Sequence, residues 1–215
     1  MMRFTPQCIA FCSLLTIVCS ARLATAELIL GVSADNGTTF ATDFDVQVGD
    51  SLNLGIYLQQ TGPNTILTDE GIVSWGFDLS RSPTDLGTIS NASANTVFDF
   101  ENHNVTTASG FEWEYADSSD FGLQGDAIFL GSFEFDATAD GTSLFAIEDR
   151  IIGGGAFSAN WFTPLFTDLD EQIFGTFATN QFQFSVNATA VPEPSSFILL
   201  GSVAGLLLGR RRRDA

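Results

Sequence analysis

The chain has 215 residues, with 26 acidic residues against eight arginines, no lysine and one histidine, for a formal net charge of −18. A chain this acidic is repelled by phosphates, which excludes nucleic-acid binding. Its length accommodates one domain with a sizeable core between two terminal segments.

The N-terminus carries Arg3, an apolar run from about Ile9 to Ser20, and Ala24-Thr25-Ala26 ahead of Glu27. A basic start, an apolar middle and a small-x-small exit are the order of a secretory signal peptide, here 1–26, with cleavage expected between Ala26 and Glu27. Cys19 raises lipidation as an alternative, but Val18 stands before it where a small residue is required. Cys8, Cys12 and Cys19 all precede the cut. The mature protein therefore enters an oxidising compartment without disulfides.

The body, 27–190, holds 24 of the acidic residues against Arg81 and Arg150, a net charge of about −22. Its apolar residues alternate. Leu52, Leu54, Ile56 and Leu58 share one face; so do Trp75, Phe77 and Leu79, then Phe111, Trp113 and Tyr115, then Phe133 and Phe135, and finally Phe182, Phe184 and Val186. That period of two is the mark of half-buried strands. Asn36-Gly37, Gly62-Pro63 and Asp140-Gly141 supply turn signals between them. No amphipathic helix is evident. The reading is all-β, a single antiparallel β-sandwich, with a barrel as the competing architecture.

The stretch Val46-Gln47-Val48-Gly49-Asp50-Ser51-Leu52-Asn53-Leu54-Gly55-Ile56-Tyr57-Leu58, followed by Ile72 to Leu79 and Ile128 to Ile147, resembles the strand grammar of cohesin-type jelly-roll domains. The resemblance implies a jelly-roll-like sandwich and assigns no partner-binding residue.

Within the body, His103 lies in the polar stretch Glu101-Asn102-His103-Asn104 and reads as a loop residue, unsuited to act as the base of a hydrolase triad. Glu112 and Glu114 share a strand face about 7 Å apart, a spacing that glycoside hydrolysis tolerates and that any exposed strand face also supplies. A structural calcium ion is a further expectation, since hard cations take carboxylate oxygens; Asp43/Asp45, Asp117/Asp120 and Asp168/Asp170/Glu171 are the candidate clusters, and none has the EF-hand pattern. No other cofactor is expected. Of the three tryptophans, Trp75 and Trp113 fall on faces that read as buried and Trp161 is the one that could be exposed as a platform for a sugar, with core packing the favoured role for all three. Asn36, Asn91, Asn104 and Asn187 stand in glycosylation sequons, several of which chance supplies in a body this rich in Asn, Ser and Thr.

The last segment, 191–215, contains Pro192-Glu193-Pro194, an uncharged stretch of fifteen residues from Ser195 to Gly209, and Arg210 to Arg213. As a helix this stretch spans roughly 22–27 Å, counted with or without the residues back to Pro192, enough for a thin bilayer. The arginine cluster places its end in the cytoplasm and the body outside. Gly201, Gly205 and Gly209 recur at the four-residue spacing that lets membrane helices pack closely. There is no Leu-Pro-x-Thr-Gly sortase pattern, and a glycosylphosphatidylinositol signal would not end in arginines.

This order of Pro-Glu-Pro, apolar helix and basic tail at the extreme C-terminus resembles the PEP-CTERM sorting signal. The resemblance implies a substrate rather than an enzyme: the export machinery would deliver the chain, and a membrane-embedded exosortase would recognise and remove the tail. The body, flanked by an N-terminal signal helix and a C-terminal transmembrane helix, would pass through an inner-membrane intermediate to the cell surface or extracellular space. There it would serve as a structural or adhesive module. Alternatives are a carbohydrate-binding or protein-docking module, with an extracellular polysaccharide or surface protein as partner, and a secreted hydrolase.

Overall fold

The computed structural model describes residues 27–63, 65–119, 121–150, 160–175 and 181–191. The segments 1–26 and 192–215, and with them the expected signal and transmembrane helices, lie outside the described residues. Among those described, no helix is long and apolar enough to cross a membrane.

Within the described residues ten strands form two packed sheets. The four-stranded sheet has the order β1 (Glu27–Ser33), β3 (Ser51–Thr61), β8 (Ala127–Ala137), β5 (Gly87–Ala94). The six-stranded sheet runs β2 (Asp43–Gln47), β10 (Phe182–Thr189), β9 (Gly141–Asp149), β4 (Ser74–Ser82), β7 (Gly110–Ala116), β6 (Phe100–Thr107). Two one-turn helices, α1 (Ile66–Asp69) and α2 (Asp170–Phe174), sit in the connections. Helices of four or five residues show no periodicity, which is why the sequence hides them.

The Val46–Leu58 stretch is not one strand. Gly49, at φ +96°, and the Asp50 N–H bonded to Gln47 O turn the chain from one sheet into the other. The expected all-antiparallel pairing also needs correction, because β10 lies parallel to β2, Val186 opposite Phe44. A parallel neighbour needs a long connection, and here the rest of the body supplies it between the second strand and the last.

Period-two alternation sends Leu54, Ile56 and Leu58 inward from one sheet, and Trp75, Phe77, Leu79, Phe111, Trp113, Phe145, Phe184 and Val186 from the other. In β8 the alternation slips: Ile128 and Leu130 are buried, then Phe133 and Phe135. A bulge opposite Ile56 and Tyr57 inserts the extra residue. Gly131 sits there because a Cβ would meet Ser93 O at 2.7 Å and the Trp113 ring at 2.8 Å. Aromatic rings dominate the core. Trp75 alone lies 5.3 Å from Phe77, 5.4 Å from Tyr115 and 5.8 Å from Phe98 by ring centroids. Such pairs contribute about 0.5–1.5 kcal/mol each beyond burial, in a body whose described residues contain no cysteine.

The register also fixes the ends of the sandwich. The short β8–β9 connection and the pairing of Gly141 with Ala188 put the end of β10 at one pole. Glu27, paired with Thr61, opens β1 at the other.

Candidate functional site

Of the residues tied to export and sorting, only Glu27 falls among the described residues. It is exposed, and its carbonyl accepts a bond from Thr61 Oγ1 at 3.0 Å, so the sheet begins at this residue. Ala24, Ala26, Pro192, Glu193, Pro194 and Arg210, Arg211, Arg212 and Arg213 lie outside the described residues.

The body's two cations are both committed within the fold. Arg81 is buried and donates to four carbonyls, those of Pro83, Thr84, Gly87 and Ala108, at 2.7–3.3 Å. Its guanidinium carbon lies 5.5 Å from the Phe135 ring centroid. Burial lowers its pKa from the usual arginine value. Arg150 lies on the outer face of the six-stranded sheet, where Nη1 bonds Asp78 Oδ1 and Glu112 Oε2, both at 3.0 Å, and Nε is 3.7 Å from Glu114.

Glu112 and Glu114 thus share a strand face as expected, but Arg150 ties them into an ion-pair network. His103 joins it: the histidine is on edge strand β6, not in a loop, and its Nε2 is 3.1 Å from Glu112 Oε2. The strand looks polar in sequence because an edge strand with both faces wet has no apolar period. Hydrogen bonds from Arg150 and then His103 hold the Glu112 carboxyl below its ordinary range. Glu112 is therefore ionised at neutral pH and unsuited to be the proton-carrying member of a hydrolytic pair. Asp78 is shifted upward instead, chiefly by burial.

The expected calcium clusters dissolve into local hydrogen bonds. Asp43 accepts from Ser185 Oγ at 2.6 Å and Asp45 from Asn187 Nδ2 at 3.4 Å, both across the parallel β2–β10 pair. Asp117 caps a turn, accepting from Ser119 N and Oγ and from Gly122 N, which outweighs the opposing effect of burial and holds its carboxyl low. Its expected companion Asp120 lies outside the described residues. Asp168 and Asp170 are joined by Asp149, a residue the sequence separates from them. Burial raises Asp149 to about 6 and Asp170 to about 8, while backbone N–H groups of Asn160 and Trp161 donate to Asp170 and that of Asp170 to Asp168. Among the described residues no three His, Cys, Asp or Glu side chains are arranged to hold a metal ion.

Trp161 takes the core role favoured for all three tryptophans and is no exposed platform. It is fully buried, its ring against Trp75, Phe77 and Phe174. Its indole N–H donates to Gly76 O at 2.7 Å. With Trp75 and Trp113 also buried, no tryptophan is available to stack on a sugar.

Comparison with known proteins separates the two parts of the chain. Residues 190–213 match the PEP-CTERM protein-sorting motif. That motif implies export, a membrane-anchored intermediate and exosortase processing. No curated protein matches the chain in sequence. In structure, the body is similar to a type I cohesin from a cohesin–dockerin complex of Clostridium thermocellum, at 14% identity and TM-score 0.50 over 77% of this chain and 99% of that one. A cohesin module from a Clostridium perfringens family 33 glycoside hydrolase aligns at 8% identity and TM-score 0.48, covering 78% and 100%. A non-cellulosomal cohesin from Archaeoglobus fulgidus aligns at 11% and 0.43, covering 81% and 96%. The chain therefore pairs a PEP-CTERM sorting motif with a body whose structural neighbours are cohesin modules, and at these identities the likeness extends to the fold.

Proposed function

We propose that the chain is an exported bacterial surface or extracellular-matrix protein, sorted and processed through its C-terminal signal, with a structural or adhesive β-sandwich body. The match over 190–213 carries this reading. In it, Pro192, Glu193 and Pro194 form the motif the processing enzyme recognises, and Arg210 to Arg213 keep the end of the helix in the cytoplasm. Residues 1–26 serve as the signal peptide, and the position of Glu27 supports a cut after Ala26. The first residue left by that cut is already paired with Thr61, so the mature body starts without a loose leader. The chain is then a substrate of an exosortase and not an enzyme.

The polarity of the sandwich fits this route. Ala190 N donates to Asp140 Oδ1 at the pole where β10 ends. A body tethered there presents the opposite pole, with the connections around 66–72, 117–126 and 160–170, away from the membrane.

Protein docking is the second reading, favoured by the fold likeness to a cohesin seen in complex with a dockerin. Replacing Pro192, Glu193 and Pro194 with alanine in the native host tests the first. The expected outcome is a chain that accumulates in the membrane with its tail intact, whereas an unchanged surface fraction would refute it.

A further inference from the structure

The connection from β1 to β2 folds back over the outer face of the four-stranded sheet. Ala41 forms a bridge with Val32, and Phe40 packs edge-on against Tyr57 with ring centroids 5.3 Å apart. Asp35 fastens the loop, accepting from Ser33 Oγ, Thr39 N and Thr39 Oγ1 at 2.7–2.8 Å, while Ser33 Oγ accepts from Gly37 N at 2.8 Å. These bonds, that from Thr39 N foremost, lower the Asp35 carboxyl to about 2. The loop is thus set in place by its own side chains.

Beside it lies a cleft of about 300 Å³ whose lining includes Asn36, Asn53, Gly55, Tyr57, Phe129 and Ser132. That is the lower end of the roughly 300–1,000 Å³ typical of small-molecule sites. Tyr57 belongs to the outer face of β3 and is nevertheless only 9% exposed, because Gly37 and Gly55 let loop and strand close on its ring. A Cβ on Gly37 would lie 3.2 Å from the Tyr57 hydroxyl and one on Gly55 3.4 Å, which places that hydroxyl between the two glycines at the cleft. Among the described residues it has no hydrogen-bond partner. It opens onto the cleft, where it is free to donate.

The lining selects among ligands. It carries amides, two serine hydroxyls and aromatic rings but no carboxylate or cation, on a body with a net charge of about −22. An acidic ligand would find no counter-charge, since Arg81 is held by carbonyls and Arg150 by carboxylates on the other sheet. A cation would find no carboxylate in the lining. What matches is a neutral polyol with one apolar face. Burial, and then the nearby charge of Asp35, keep the Tyr57 phenol protonated and able to donate.

We propose that this cleft binds a neutral sugar unit: the Tyr57 hydroxyl donates to a sugar oxygen, Asn36 and Asn53 engage ring hydroxyls, and Phe129 packs against the sugar's apolar face. The proposal deepens the adhesive reading and rests on the body reaching the cell exterior, while its chemistry is independent of how the tail is processed.

The test uses the full chain in a detergent without a sugar headgroup, titrated by calorimetry with cellotetraose, mannotetraose and the tetramer of N-acetylglucosamine, and with polygalacturonate as the acidic comparison. The expected result is binding of at least one neutral oligosaccharide with Kd on the order of 1 mM or tighter. Tyr57→Phe and Asn53→Ala should each weaken it by roughly 5–10-fold with the melting transition retained. Ser132→Trp, which fills the cleft from a half-buried position, should abolish it. Three results would overturn the proposal: no neutral oligosaccharide bound at tens of millimolar, affinity unchanged in all three variants, or polygalacturonate bound in preference. None of them would alter the mass of the processed protein, so failure here stays distinguishable from failure of the sorting reading.

Discussion

The indole N–H of Trp161 reaches the carbonyl of Gly76 at 2.7 Å, fastening the connection that follows β9 onto the middle of the six-stranded sheet. Gly76 allows the approach: a Cβ there would lie 2.9 Å from Asn160 Nδ2. Trp161→Phe keeps most of the ring and deletes the donor, leaving a buried carbonyl short of a partner. The cost should be about 1–3 kcal/mol, seen as a lower midpoint in a thermal melt, with oligosaccharide affinity unchanged because the cleft lies on the other sheet.

Asp149 and Asp170 give the body an unusual pH response. Their folded-state pKa values, about 6 and about 8, are raised above those of an unfolded chain, so the folded protein binds more protons between roughly pH 4 and pH 8. Their contribution is fully present below the unfolded pKa and lost as pH rises through the folded values. Asp35, Asp99, Glu112 and Asp136, all lowered by hydrogen bonds, act with the opposite sign and matter only as the solution becomes strongly acidic. Melts across pH should therefore peak in the mildly acidic range and decline toward about pH 9, and Asp170→Asn should flatten the decline.

Among the described residues Arg81 is the one cation buried in the interior, and it joins the β4–β5 and β6–β7 connections through carbonyls alone. Arg81→Met retains the packing on Phe135 but strands those carbonyls. A loss of roughly 2–4 kcal/mol is expected in denaturant unfolding, against a change within about 0.5 kcal/mol for an exposed substitution such as Thr38→Ser.

Phe166 combines φ of +60° with 82% exposure, a costly conformation for an aromatic residue. Thr163 imposes it: its carbonyl accepts from Phe166 N, and its Oγ1 accepts from Leu165 N and Thr167 N. Phe166→Gly relieves the backbone and removes no buried contact, so a gain of about 0.5–1 kcal/mol is expected, measured as a raised melting midpoint.

The fold was legible where one face of a strand is dry. Leu54 to Leu58, Trp75 to Leu79 and Phe111 to Tyr115 announce themselves by period two, and all of them line the core. Strand β6 was not legible: as an edge strand it is exposed along almost its whole length and shows no period. Nor was the β2–β10 pair, because parallel pairing joins segments from nearly opposite ends of the body and leaves no local trace. The place of Trp161 in the core was not legible in detail, because its neighbours carry no strand pattern and its position is fixed by a tertiary bond to β4. The cleft escaped for the same reason. Tyr57 and Gly37 read as a strand residue and a turn residue, and only the fold lays one on the other. The sorting tail was legible for the opposite reason, since its recognition depends on residue order and not on a packed environment.

The most direct test of surface sorting is the intact mass of the protein recovered from its native host, measured separately in membrane and surface fractions. The expected result is a surface species that begins at Glu27 and has lost the segment following Pro192-Glu193-Pro194. A surface species that still carries Arg210 to Arg213 would contradict processed sorting and leave the tail as an ordinary membrane anchor.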